Sequence, residues 1–357
     1  MTGAPGTATS GRGSGSARGF HTKVDDRSPN FTDPRDRERV CRRQRRRPLS
    51  RRSGALAALV AATIFLTGCG LGAGEEQEGG AQLRVTRDFG HEELGSVRLD
   101  TLREDQTVMR MLRSEFDVDT RFGGRFVQAI DGLEGAGAGG TSDWFFFVNG
   151  IESGAGAAEY ELSPGDRVQW DHRSWGAAMR VPAIVGAFPE PFLHGTEGER
   201  RPVRVECDEV ESDPCRDARQ ALDDAGVATS GSSLGAPGTE AVTRLVVARW
   251  PAARIVRGAP TLEDGPEASG VFARFAEDGR SLELLDQTGE VARTVRPGDG
   301  TALVAALQPR AEELLWLVTS LDAKGLAAGV AALEEDLLRD AFAVAVTGDT
   351  VEKLPLR

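Results

Sequence analysis

Asp143-Trp144-Phe145-Phe146-Phe147-Val148-Asn149-Gly150 is the stretch on which the fold turns. From Trp144 to Val148 every side chain is aromatic or β-branched, the composition of a strand. Asn149-Gly150 then supplies a residue pair that tolerates positive φ in a tight turn. No polar residue interrupts the run, so both faces of that strand must be covered. Ser163-Pro164-Gly165-Asp166 forms another tight turn. Arg167 to Arg173 alternates after it, with Val168, Trp170 and His172 on one side and Arg167, Gln169 and Asp171 on the other, which predicts a second strand.

Upstream, Leu83, Val85 and Phe89 mark an opening strand and Ser96 to Leu99 a second one. Thr107 to Phe116 has Val108, Met111, Leu112 and Glu115 spaced for one helix face, with Thr107 or Asp105 placed to cap it. Arg125 to Ile130 reads as a short strand and Gly132 to Thr141 as a loop. Trp144 to Gly150, Gly154-Ala155-Gly156, Tyr160 and Pro164-Gly165-Asp166 leading to Trp170 resemble a bacterial family of unknown function that is similar to the C-terminal domain of transcobalamin. The pieces W-x-F-x-V-N-G and G-D-x-V-x-W stand in that family's order, within residues 81–175. The resemblance implies a small β-grasp-like domain, strands packed on one helix, with a ligand-binding or protein-contact role outside the cell. In transcobalamin this domain closes over a corrinoid held by a large helical barrel. The present sequence has no such barrel, which counts against cobalamin, and no other cofactor is expected.

Residues 176–195 are expected as a linker to a second domain, 196–357. There Val203 to Glu206 reads as a strand, Pro214 to Ala225 as a helix capped by Asp213, and Val242 to Trp250 as a strand. Gly270 to Phe275 and Ser281 to Leu285 form a hairpin around Glu277-Asp278-Gly279, and Thr301 to Leu307 a short helix. Leu314 to Ser320 is apolar enough for a buried strand, Ala323 to Arg339 has helical spacing, and Ala341 to Val346 is a last strand. The fold class expected is therefore α+β, a small β-grasp-like domain followed by an α/β sandwich with a mixed sheet. Cys207 and Cys215 are expected to pair as a disulfide in an oxidising exterior, since no histidine or third cysteine lies nearby for a metal.

The leader defines the compartment. Residues 1–53 are basic and lack apolar periodicity, the composition of a disordered n-region. Residues 54–68 are uncharged and largely apolar but too short to span a bilayer, as in a signal peptide. Leu66-Thr67-Gly68-Cys69 resembles the lipobox of bacterial lipoproteins, which implies a lipid on Cys69 and attachment to the cell membrane facing outside the cytoplasm. Residues 69–80, rich in Gly and Glu, are expected as a flexible tether. The net charge is −12 although the leader is strongly basic, so the body is more acidic still. That balance argues against a nucleic-acid partner.

Motifs of catalysis are weak. Gly231-Ser232-Ser233-Leu234-Gly235 matches G-x-S-x-G but lies among Ser, Gly and Pro with no histidine downstream, so no catalytic triad is expected. Gly135, Gly137 and Gly140 sit in a glycine-alanine run without a helix behind them. His91, His172 and His194 are far apart, and no metal site is expected. Asp322 stands where a strand yields to a helix, a place for a ligand contact or, preferably, a helix cap. The candidate ligand contacts are Trp144, Phe146, Trp170, His172 and Trp175, because aromatic side chains offer flat contact area. The expected function is noncatalytic recognition of a small ligand or envelope component. The alternative is a structural or assembly protein of the envelope.

Overall fold

The computed structural model of the chain describes residues 76–137, 139–311 and 313–357. The basic region, the apolar run, Cys69 and the first residues of the expected tether lie outside the described residues. The remaining tether positions are structured: Glu76, Gln77 and Glu78 pair with Arg103, Leu102 and Thr101 in an antiparallel hairpin of β1 (Glu76–Arg87) and β2 (Glu92–Arg103).

A short helix follows, α1 (Val108–Arg113), capped by Thr107, whose Oγ1 accepts the Arg110 N–H at 3.2 Å. Strands β3 (Val118–Arg121), β4 (Phe126–Ile130) and β5 (Leu133–Glu134) make a small antiparallel sheet. The aromatic stretch is β6 (Ser142–Val148), followed by β7 (Ile151–Glu152), and the alternating stretch is β8 (Arg167–Ser174). These join β1 and β2 in a five-stranded sheet of order β2-β1-β8-β6-β7. β1 runs parallel to β8, and the other neighbours pair antiparallel. One face of this sheet holds α1: Val108, Met111 and Leu112 bury against Leu83, Val85, Val148, Val168 and Trp170.

The second sheet is built from β9 (Val203–Cys207), α2 (Asp213–Asp224), β10 (Thr229–Ser233) and β11 (Thr243–Arg249). Two one-turn helices, α3 (Trp250–Ala253) and α4 (Pro266–Ser269), lead to a three-stranded meander of β12 (Ala273–Phe275), β13 (Leu282–Leu285) and β14 (Val291–Val295). Then come β15 (Thr301–Arg310), β16 (Glu313–Ser320), α5 (Ala323–Ala331), α6 (Glu335–Leu338), β17 (Ala343–Thr347) and β18 (Thr350–Leu354). The seven-stranded order is β10-β9-β11-β16-β15-β17-β18, with a parallel block from β10 to β16 and antiparallel pairing beyond it.

Alternation along the central strands sorts the two faces. Val247, Val304, Trp316 and Val318 point to the side that α2 and α5 cover with Ala218, Leu222, Leu326 and Val330. Val246, Leu303, Leu315 and Leu317 point to the opposite side, where Trp250, Leu262, Phe275 and Leu284 bury against them. Helix covers one face, and the meander with its preceding turns covers the other.

Thr301–Leu307 is a strand, where a short helix was expected. Its Ala and Leu side chains favour helix locally, but the segment lies between β16 and β17 with every residue to Leu307 buried, so no alternation betrays it. The helical stretch 323–339 is two helices, because the chain turns between Ala332 and Glu334. The N-cap of α2 is Ser212, one residue before the expected Asp213. Cys207 and Cys215 are joined as expected.

The described residues share continuous apolar cores. Residues 176–195 bury Val181, Ile184, Val185, Phe188 and Phe192, so the segment expected as a linker is packed. Phe89, in the turn between β1 and β2, and Phe147 of β6 lie in the same core as Val246, Leu303 and Phe342. Phe89 meets Phe272 edge-on at 4.7 Å and Phe342 at 5.3 Å. Gly90 completes the junction: its φ is +74°, and a Cβ there would come within 1.7 Å of the Asp340 carbonyl oxygen.

Candidate functional site

Strand β8 carries two unlike faces. Toward α1, Trp170 stacks on Phe146 with ring centroids 4.9 Å apart, and Trp144 meets His172 edge-on at 5.2 Å. Trp144 gives its indole N–H to the Leu133 carbonyl at 2.9 Å. Trp144 and Trp170 are core residues, while Phe146, His172 and Trp175 are partly exposed around them. The register thus brings Trp144, Phe146, Trp170 and His172 together, but none of them lines any of the cavities described below. Trp175 lies beyond the pair, its N–H donated to the Thr141 carbonyl.

The opposite face of β8 is a buried polar row of Gln169, Asp171 and Arg173. Asp171 accepts hydrogen bonds from the Thr86 hydroxyl at 2.7 Å, the Phe89 N–H at 3.0 Å and the Gly90 N–H at 2.8 Å. Complete burial pushes its carboxyl up to about 6 even though these donors favour the ionised form. Arg173 lies over the Phe145 ring at 3.8 Å and donates to the Ala178 carbonyl; burial pulls its guanidinium down to about 10. These groups tie the first sheet to the strand-turn segment Asp88–Gly90 and the 176–185 segment, and serve each other.

Asn149 and Asp166, the polar residues of the two motif pieces, form a clasp. Asn149 Nδ2 donates to Asp166 Oδ1 and to the Gly195 carbonyl, each at 2.8 Å, and its Oδ1 accepts the Arg167 N–H at 2.9 Å. The clasp fixes the β6–β7 turn against the turn that opens β8. A cavity of about 400 Å³ opens beside it, between Arg98, Asp100, the Pro164–Arg167 turn and His194. Its carboxylates are largely occupied. Glu190, 1% exposed, accepts the His194 backbone N–H and hydrogen-bonds its ring Nδ1. Another cavity of about 400 Å³ holds Glu152, Tyr160, Arg180 and Glu197. There Glu152, pushed up by burial, pairs with Arg180 at 3.5 Å.

The largest of these cavities, about 820 Å³, is a groove between α2, α5 and the segment Phe188–Leu193. Its α2 wall is one helix face, Asp217, Gln220, Ala221, Asp224 and Ala225, at helical spacing. Phe188, Leu193, Val330 and Leu333 make an apolar floor. Arg167 is the one cation lining it; it donates to the Phe188 carbonyl at 2.9 Å and pairs with Glu335 at 2.9 Å. Asp217, Asp224 and Glu334 have no cationic partner among the described residues. Neither α2 nor α5 has a basic residue in its own last turn to offset the negative end of its dipole. Sequence reading missed the groove because its walls come from segments far apart in the chain. Ser232 and Ser233 of the G-x-S-x-G match lie on the edge strand β10 and do not line it. Asp322 caps α5: Oδ1 accepts the Gly325 N–H, and Oδ2 accepts those of Gly298 and Gly300. Among the described residues no group of three or more His, Cys, Asp or Glu is placed to hold a metal ion.

A domain of unknown function (DUF4430) matches residues 105–174, the span that contains both motif pieces. No curated protein matches the chain. Among solved structures, a candidate metal binding protein from Ruminococcus gnavus ATCC 29149 is 18% identical over 27% of this chain and 98% of its own, with a TM-score of 0.23. Haptocorrin in complex with Cbi is 16% identical over 27% of this chain and 26% of its own, with a TM-score of 0.22.

Proposed function

We propose that the chain is a lipid-anchored recognition protein facing outside the cytoplasm, and that it binds a small cationic amphiphile in the α2–α5 groove without catalysing its conversion. One observation carries the reading: an apolar floor whose rim holds three carboxylates lacking any cationic partner among the described residues. The volume lies in the range of small-molecule sites, roughly 300–1,000 Å³. An apolar tail covers the floor, and a positively charged head meets Asp217, Asp224 and Glu334 beside the two helix C-termini. An anionic ligand would be repelled at the same place. The Leu66-Thr67-Gly68-Cys69 sequence supports anchoring through Cys69. A β-grasp-like first domain is supported by the order β2-β1-β8-β6 around α1.

Calorimetric titration of the full chain with dodecylammonium and dodecyl sulfate, both below their micelle concentrations, tests the proposal. Dodecylammonium should bind tightly and saturably, and dodecyl sulfate weakly. The triple variant Asp217→Asn, Asp224→Asn, Glu334→Gln should lose about tenfold in dodecylammonium affinity, a modest gain per solvated charge pair. A matched variant at exposed sites elsewhere, Glu104→Gln, Glu115→Gln, Asp349→Asn, should lose almost none. Ala327→Trp, which fills the groove from an exposed position, should abolish saturable binding. Equal affinities for the two probes, or indifference to Ala327→Trp, would overturn it.

A further inference from the structure

The hairpin of β3 and β4 turns at Phe122-Gly123-Gly124-Arg125. Phe122 is 82% exposed and Phe126 41%, the two rings meeting edge-on at 6.4 Å. No other large apolar side chain among the described residues is as exposed as Phe122. Its backbone has φ +53°, and Gly123 and Gly124 follow it with open space where a Cβ would be. A phenylalanine held outward in a left-handed conformation buries little against the fold beneath it beyond the edge of Phe126. Arg121 and Arg125 flank the ring pair. Among the described residues Arg121 is anchored by Gln128, and Arg125 reaches Glu159 at 3.8 Å with both side chains well exposed. Arg113 stands beside them, donating to the Thr120 hydroxyl.

We infer that this tip inserts into the interface of an anionic phospholipid bilayer, Phe122 and Phe126 entering the headgroup–acyl boundary while Arg121 and Arg125 meet lipid phosphates. Aromatic rings favour that boundary, and each arginine near an anionic surface adds attraction that falls off within a Debye length. The net charge is −12 even with the strongly basic leader counted, so the body is repelled by an anionic surface over most of its extent, and the aromatic tip with its arginines is a described part that can approach it. A bilayer is the occupant favoured over a protein because two exposed arginines adjoin the exposed ring pair at the hairpin tip, and neither ring lines any cavity described above. The inference does not depend on the ligand groove.

Phe122→Trp adds one reporter at the tip, and the difference spectrum against the parent chain isolates it from the five native tryptophans. The full chain is bound to vesicles containing phosphatidylglycerol, or phosphatidylcholine alone, with lipids brominated near the headgroup end of the acyl chain. With phosphatidylglycerol the added emission should shift to the blue and be quenched by the brominated lipid. With phosphatidylcholine, or after Arg121→Gln and Arg125→Gln, both effects should be largely lost. Both arginines are exposed, so those replacements leave the fold intact, and the far-ultraviolet spectrum checks it. An added emission that stays solvent-like and unquenched on phosphatidylglycerol overturns the inference and turns the tip over to a protein contact. Quenching that ignores headgroup charge and the arginines overturns it as well.

Discussion

Thr86 and Asp171 show how much a single hydroxyl can carry. The Thr86 hydroxyl is one of three donors to a carboxylate with no exposed surface, so Thr86→Val leaves that carboxylate short of a partner. A loss of about 1–3 kcal/mol is expected in urea denaturation, with the Asp171 midpoint, read by carboxyl carbon NMR, moving above 6. The sign of the pH dependence follows from the same group. Its folded value, about 6, exceeds the ordinary 3.8, so between those values the folded chain holds a proton that the unfolded chain has released. The contribution of Asp171 to stability therefore falls as pH rises from about 4 to about 6 and stays level above that. A contribution that rises over this interval, measured as the difference between the parent chain and Asp171→Asn, would contradict the assignment. Asn149 is the second such residue. Asn149→Ala breaks three hydrogen bonds of the clasp and should cost roughly 2–4 kcal/mol, whereas an exposed change such as Asp349→Asn should cost almost nothing.

At the scale of elements, strands announced themselves where one face or a turn gave them away. β6 and β8 were legible from their aromatic run, their alternation and the Asn149-Gly150 and Pro164-Gly165-Asp166 turns, and α1 from Thr107 and its apolar spacing. β15 was not, because burial on both faces erases the period that separates a strand from a helix. β10, β14 and β18 escaped for the opposite reason: Thr229–Ser233 and Val291–Val295 are polar or exposed, and a neighbouring strand rather than composition recruits them. The junction between the two sheets rests on Phe89, Phe272 and Phe342. Phe342→Ala should lower stability by about 3–5 kcal/mol, and near-ultraviolet circular dichroism should show both sheets losing tertiary order together.

Seen whole, residues 81–357 were read as two domains, 81–175 and 196–357, on a linker, and the apolar residues of 176–195 do not by themselves say which sheet they will cover. Their burial, with Phe89 and Phe147 in the core of the second sheet, predicts a single cooperative unfolding transition in calorimetry and resistance of 176–195 to brief proteolysis. Two separated transitions, or early cleavage there, would contradict that arrangement. The candidate site was the least legible feature. Trp144, Phe146, Trp170 and His172 stand side by side on β6 and β8, and the packing of α1 spends Trp144 and Trp170 on a core. The groove instead joins residues from Arg167 to Glu335, a juxtaposition that only the fold creates. Methyl and amide chemical-shift mapping during dodecylammonium titration decides between these places. Saturable shifts at Leu193, Ala221, Ala225, Val330 and Leu333, with Val168 and the Trp170 indole unmoved, are the predicted result; shifts centred on Trp144 and Trp170, with the groove silent, would contradict it.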